Sequence, residues 1–218
     1  FSLKGKYAYD YLHYLSDEED GMYIDNRYRQ QEVYLSAANL FSILPGWSVD
    51  LSVDAQWNGL EADLADFAYP KRYTVLAAAA TSLQLKRVSL QGSLLYTHVT
   101  DVTRRQGTQA GTRNEFTPAL VASCKPLRRH DLSLRAFYKR IFRMPTFNDL
   151  YYTQIGNKNL KPEYTEQYDA GAVYAREWYG PKGSCRLEVQ LDGYFNRVKN
   201  KIVAMPADNQ FRWMMLNL

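Results

Sequence analysis

The chain has 218 residues, 18 of them tyrosine, a formal net charge of +4 and two cysteines, enough length for one domain with a sizeable core. Its basic excess is diffuse, with no single stripe of basic residues interleaved with aromatics, and this argues against a nucleic-acid surface. No run of about 18 apolar residues occurs, which excludes a transmembrane helix but not a transmembrane β-strand, because half of such a strand faces a lumen.

Strand-like alternation begins at once. From Leu3 to Leu15, the residues Leu3, Tyr7, Tyr9, Tyr11 and Leu15 share one face, the period of two that marks a pleated strand. From Glu32 to Ile43, Val33, Leu35, Ala37, Phe41 and Ile43 do the same. The clearest case is Trp47–Asn58: Trp47, Val49, Leu51, Val53, Ala55 and Trp57 fall on one side, and Ser48, Asp50, Ser52, Asp54, Gln56 and Asn58 on the other. Ten residues separate the two tryptophans. That is about 33 Å of chain at roughly 3.3 Å per residue. Tilted as barrel strands are, it projects to about 25 Å, the height of the apolar band of a transmembrane barrel with an aromatic at each boundary. Strands of soluble proteins centre on about 5–6 residues.

The signal continues through Lys71–Gln84, Val88–Asp101, a weaker Glu115–Lys125, and Asp131–Arg143. In Tyr164–Trp178, Tyr168 and Trp178 again stand ten residues apart on one face. Cys185–Val198 alternates well, and a last strand is expected to start near Phe211. The fold class is therefore all-β, an antiparallel up-and-down meander of about ten strands forming part of a larger transmembrane β-barrel. Trp47, Trp57, Tyr168 and Trp178 are its expected membrane girdle.

Connections support this. Leu44-Pro45-Gly46, the region of Leu85 to Arg87, Pro126 to His130 and Gly180 to Gly183 are short; Ser16–Arg29, Gly59–Pro70, Val102–Asn114, Met144–Glu163 and Lys199–Gln210 are long. Short and long alternate, as brief periplasmic turns and extended extracellular loops do. Both Phe1 and Asn217-Leu218 lie in strand-like sequence, so residues 1–218 are expected to be one partial barrel domain cut from a longer protein, and no conclusion follows from the lack of a leader. An open sheet would leave two unpaired edges, so the isolated piece is expected to need neighbouring strands, detergent or another copy of itself. Cys124 and Cys185 fall on strands three apart, a geometry against a disulfide.

One loop is distinctive. Phe142 to Gly171 reads FRMPTFNDLYYTQIGNKNLKPEYTEQYDAG, with Phe142-Arg143, Pro145-Thr146, Asp149-Leu150-Tyr151, Gly156-Asn157, Leu160-Lys161-Pro162-Glu163 and Gln167-Tyr168 in order. This resembles the F-R-x-P-T-x-x-E/D-L-Y … G-N-x-x-L-K-P-E pattern of TonB-dependent outer-membrane receptors. The resemblance implies a full receptor of about 22 strands around an N-terminal plug. Such a receptor imports a scarce nutrient (siderophore-iron, haem, cobalamin or a glycan), lies in outer-membrane lipid, and couples to TonB through a region this chain does not contain. Plug and closing strands are not recognisable here.

Read as residues, Pro145 and Pro162 fix where strands stop and restart. Gly156-Asn157 supplies a turn able to take φ > 0, and Arg143, Asp149, Lys161 and Glu163 are placed to tie the loop to the rim. Fixed turn residues usually serve geometry, so Tyr151, Tyr152 and Gln154, projecting between them, are the better ligand contacts. Arg104 and Arg105, with Arg113 nearby, would favour an anionic ligand.

The sequence offers no catalytic residue and no resident cofactor: nucleophile elbow, phosphate loop, CxxC pair and HExxH are all missing, and the three histidines stand far apart. Asp50 and Asp54 share a face about 13 Å apart, too far for a direct pair. The acidic run Asp17, Glu18, Glu19, Asp20 is a weak calcium candidate lacking the spacing of a calcium loop. The competing readings are a passive porin, an enzyme on an outer-membrane barrel, and a soluble β-sandwich that binds glycans with its tryptophans buried between sheets.

Overall fold

A computed structural model describes residues 1–16, 23–104, 110–128, 130–152, 156–181, 183–206 and 213–218. Nine consecutive strands form one antiparallel sheet in sequence order: β1 Ser2–Ser16, β2 Ile24–Leu44, β3 Trp47–Ala62, β4 Lys71–Gln84, β5 Val88–Val102, β6 Thr112–Cys124, β7 Asp131–Arg143, β8 Glu163–Gly180 and β9 Gly183–Lys199. The one helix among the described residues is short, α1 at Phe147–Tyr151, between β7 and β8. A separate hairpin pairs β10 Ile202–Pro206 with β11 Trp213–Asn217.

The period-two stripes line up across the sheet. On one face Val33, Trp57 and Tyr73 form a row, as do Leu35, Ala55 and Val75, and Phe41, Val49 and Thr81. The same face carries Tyr138, Tyr168 and Phe195 side by side, and Cys124 and Cys185 at its turn end. Its large apolar side chains are exposed: Leu51 47%, Val53 53%, Val189 53%. The opposite face is polar and cross-linked. Glu32 accepts from Lys6 at 3.0 Å, from Gln56 at 3.0 Å and from Asn58 at 3.1 Å, tying β1, β2 and β3. Arg135 of β7 reaches Asp192 of β9 across Gly171 of β8, where a side chain on that glycine would occupy the space of the pair. A single layer with a dry outer face and a wet inner one is a barrel wall. A two-layer sandwich is excluded, because among the described residues no second sheet packs on the apolar face and Trp47 remains 38% exposed there.

Several boundaries differ from the sequence expectation. β2 begins at Ile24, well inside the stretch read as loop to Arg29. Its extra residues put Asp25, Arg27 and Arg29 on the outer face, which hides the alternation although the ladder to β1 runs on from Ile24 to Ala38. The expected tenth strand does not extend the nine-stranded sheet: β11 pairs with β10, inside the stretch read as a plain loop, and Lys201 and Leu218 exchange backbone hydrogen bonds at 2.9 Å. Phe211 lies outside the described residues. The weak sixth strand has a cause. Its ladder to β7 stops at Ala119, beside Pro118, which has no N–H to donate. Above that point side chains close the seam, with the Tyr164 hydroxyl donating to Glu115 at 2.6 Å and Arg140 3.6 Å from the same carboxylate.

Short turns gather at one end of the sheet. Gly46 sits at φ +84°, and a side chain there would strike the carbonyl oxygen of Gln84, so the Pro45-Gly46 turn needs glycine. β1 and β9 are the two edges of the sheet.

Candidate functional site

At the long-loop end the segments fold over the polar face and build the main apolar core of the described residues. Tyr28, Leu60 and Ala62 from the strand ends meet Phe67 and Ala68 of the β3–β4 loop, Phe147, Leu150, Tyr151 and Leu160 around α1, and Ile202 of β10. Leu150 is 1% exposed. This core sits on the lumen side, since Tyr28 and Leu60 project from the same face as Glu32 and Gln56.

Local chemistry dictates α1. Thr146 caps it: its hydroxyl accepts from the Asp149 N–H at 3.2 Å, and the Asp149 carboxylate accepts from the Thr146 N–H at 2.9 Å. Arg143 then clasps the loop to the strand end, 3.3 Å from Asp149 and 3.7 Å from Glu163. Glu163 also accepts the Ile202 N–H at 2.9 Å, so a single carboxylate fastens both β7 and β10. Lys161 ties in through its backbone, exchanging two hydrogen bonds with the Asn217 amide at 2.7 and 3.0 Å, rather than through its ammonium. The Asn157 amide donates to the Met215 carbonyl at 2.9 Å and accepts from the Asn159 N–H at 3.0 Å. Pro145 is fully buried, and its carbonyl accepts from Arg72 at 2.7 Å.

Two expectations change here. Gly156 and Asn157 are not among the residues at positive φ. Gly156 is needed for space, because a Cβ would lie 2.6–2.9 Å from the backbone of Tyr152 and Leu150. Tyr151 does not project: it is 5% exposed inside the core. Burial pushes its phenol up to about 12, with the nearby Asp101 carboxylate adding to the shift. Tyr152 is half-buried, stacked on Tyr28 at 5.3 Å, and burial raises its phenol too.

The sequence reading missed the pair that anchors this loop. Arg72 forks onto Asp101 with two bonds of 2.7 Å, its side chain 12% exposed and that of Asp101 fully buried. The Phe147 ring lies over the same guanidinium at 5.1 Å. The clue becomes legible only once the turn is centred between Lys86 and Arg87, because equal counting from there sets Arg72 opposite Asp101, whereas centring on Lys86 gives Thr100.

Arg104 stacks on Tyr69 at 4.0 Å, in a cavity it shares with Trp57 and Lys71. Arg105, Gln154 and the acidic run Asp17, Glu18, Glu19, Asp20 lie outside the described residues. Among the described residues no cluster of three metal-ligating side chains forms. A lumen cavity of about 390 Å³ beside α1 is lined by polar side chains (Gln30, Gln56, Asn58, Arg72, Thr74) and by apolar ones (Leu76, Leu95, Val99, Phe142, Met144, Phe147).

A single-layer antiparallel sheet with an apolar outer face, its long loops packed over the polar face at one end, is part of the wall of a transmembrane-type β-barrel. Residues 1–215 match the family described as TonB dependent receptor-like, beta-barrel, and the chain belongs to that family. No curated protein matches the sequence. Among solved structures it is similar to the copper transporter OprC, with TM-score 0.67 and 16% identity over 99% of this chain and 38% of that one. It is similar also to a double mutant of the Serratia marcescens hemophore receptor HasR in complex with its hemophore HasA and heme, with TM-score 0.60, 16% identity, 83% of this chain and 34% of that one. A third is P. aeruginosa FpvA bound to a heterologous pyoverdine, with TM-score 0.54, 11% identity, 98% and 33%. At these identities the likeness is one of fold, and the chain spans about a third of the length of each.

Proposed function

We propose that this chain is part of the barrel of an outer-membrane receptor that imports a scarce nutrient, with energy delivered by TonB through a region outside residues 1–218. One observation carries the reading: the family's loop pattern is built into a packed lid over the lumen, with Arg143, Asp149, Asn157 and Glu163 each holding a partner. A passive pore has no need for such a lid. The role is transport rather than catalysis, and the family match and the receptors of similar fold support it.

The ligand-facing surface under this reading is the Tyr152 side of the lid and the cavity of mixed polar and apolar lining beside it, with Gln154 close to Tyr152 in sequence. The motif residues position that surface, and Tyr151 packs it. Siderophore-iron, haem, copper, cobalamin and glycan are the cargo classes to compare. A strain lacking the parent gene, grown on each of these as sole source of the limiting nutrient, is expected to show a defect on one of them that a plasmid copy restores. Normal growth on all would contradict import.

A further inference from the structure

The outer face carries a second cavity, at the long-loop rim. Trp57 marks the upper end of the apolar stripe, and its indole lies flat over Gly59, where a Cβ would come within 3.0 Å of the ring. Immediately above it Tyr69 stands as a second aromatic wall, its backbone held at φ +48° and its hydroxyl donating to the Ala62 carbonyl at 3.1 Å. The space between them is about 180 Å³ and continues into a neighbouring hollow of about 290 Å³ that shares Glu61 and Tyr69.

Four cations line the two hollows: Arg27 and Arg29 from β2, Lys71 from β4 and Arg104 beyond β5, of which Arg27 already lies 3.9 Å from Asp25. The ladder places Arg29 beside Glu61, and Lys71 opposite Gly59, on the outer face. Two strand spacings and a two-residue stagger separate Arg29 from Lys71, about 12 Å, within reach of one headgroup for two such long side chains. Neither Arg29 nor Lys71 has an ion-pair partner among the described residues, while Arg104 is oriented by Tyr69. Of the two carboxylates in the walls, Asp63 is engaged by the Arg27 backbone N–H at 2.8 Å, which leaves Glu61. Arg29 and Lys71 project from the face opposite the loop lid, while Arg104 and Tyr69 stand at the rim, where Tyr69 also packs against the lid core.

We propose that this rim cavity binds the phosphorylated headgroup of a lipid in the outer leaflet. Arg29, Lys71 and Arg104 take the phosphate, Trp57 and Tyr69 flank the sugar or glycerol, and the acyl chains run down the Leu51–Val53 stripe. Guanidinium and ammonium groups above an interfacial tryptophan suit a phosphorylated headgroup, because arginine forks onto phosphate oxygens and the aromatic belt sits at headgroup level. A soluble anion would satisfy the cations but would leave the stripe below them unused. The proposal rests on the outer-membrane placement proposed above.

The test uses the purified full-length receptor in detergent, with retained lipid read by native mass spectrometry. Its probes are a diphosphorylated lipid A, the same lipid with its phosphates removed, and inorganic phosphate. Lipid A is expected to survive detergent exchange, the dephosphorylated form to be lost, and inorganic phosphate at millimolar concentration not to displace lipid A. At about fivefold per basic residue near an anionic headgroup, K71Q with R104Q weakens lipid A binding by about 25-fold, while K125Q at the opposite rim leaves it unchanged. Equal retention of both lipid forms overturns the proposal, as does displacement by free phosphate or undiminished binding in the double variant. Heat-modifiable migration on gels reports barrel folding separately, for wild type and variants alike, so failure of the membrane reading is distinguishable from failure of the lipid site.

Discussion

The Arg72–Asp101 pair shows how much a single contact can decide at the residue scale. Both groups are withdrawn from water, so their attraction is weighed against a large desolvation cost, and removing one partner strands the other. Arg72→Met is therefore expected to destabilise the folded barrel by about 3–5 kcal/mol, whereas Arg72→Met with Asp101→Leu is expected to recover most of that loss. Thermal or denaturant unfolding of the four forms checks this, and a double variant no better than the single one would refute it. The contrasting case is Lys125 with Asp131, 2.8 Å apart and more than half exposed, where solvent screening leaves little to lose.

For the loop as an element, the sequence was informative in proportion to how local the cause was. The two proline stops depend on neighbours within a few positions and read directly; the capping box of Thr146 and Asp149 is as local, yet it lay unread inside a stretch taken as plain loop. The burial of Tyr151 depends on Tyr28, Leu60 and Ile202 converging from distant strands, and nothing in the run DLYYT separates the buried tyrosine from the half-buried one beside it. The membrane-spanning strands were legible because lipid imposes a strict alternation. Where β2 rises beyond the lipid, charged Asp25, Arg27 and Arg29 replace the apolar outer row, and its true start was lost. A strand near β11 was expected, but its partner β10 was read as loop, because a strand of five residues leaves too little pattern.

The lid also carries a pH signature. The Tyr151 phenol titrates near 10 in an unfolded chain but at about 12 here, because burial disfavours the charged form. A folded pKa raised above the unfolded one means the stabilisation is intact below pH 10 and drains away as pH climbs through 12. Lid docking, followed by protease sensitivity of the Thr146–Tyr152 segment, is expected to weaken across that window. Tyr151→Phe should remove this part of the alkaline dependence. An unchanged profile in the phenylalanine variant would assign the effect to another group.

Taken whole, the molecule is a wall with two environments. Glycines, prolines and capped turns set the ends of the strands. Alternation assigns each side chain to lipid or lumen, and long loops close over the wet face at one end. Transport as proposed depends on the lumen side, and lipid contact as proposed depends on the other. Both fail if the stripe from Trp47 to Trp57 does not face hydrocarbon.

Fluorescence quenching by brominated lipids tests that most directly. Receptors keeping Trp47 alone or Trp57 alone, with the other tryptophans changed to phenylalanine, are reconstituted in bilayers brominated either near the headgroups or at the midplane. The account predicts strong quenching of both by shallow bromines, weaker quenching by midplane bromines, and little by aqueous iodide. Tryptophans untouched by brominated lipid at any depth, or quenched chiefly from water, would contradict it.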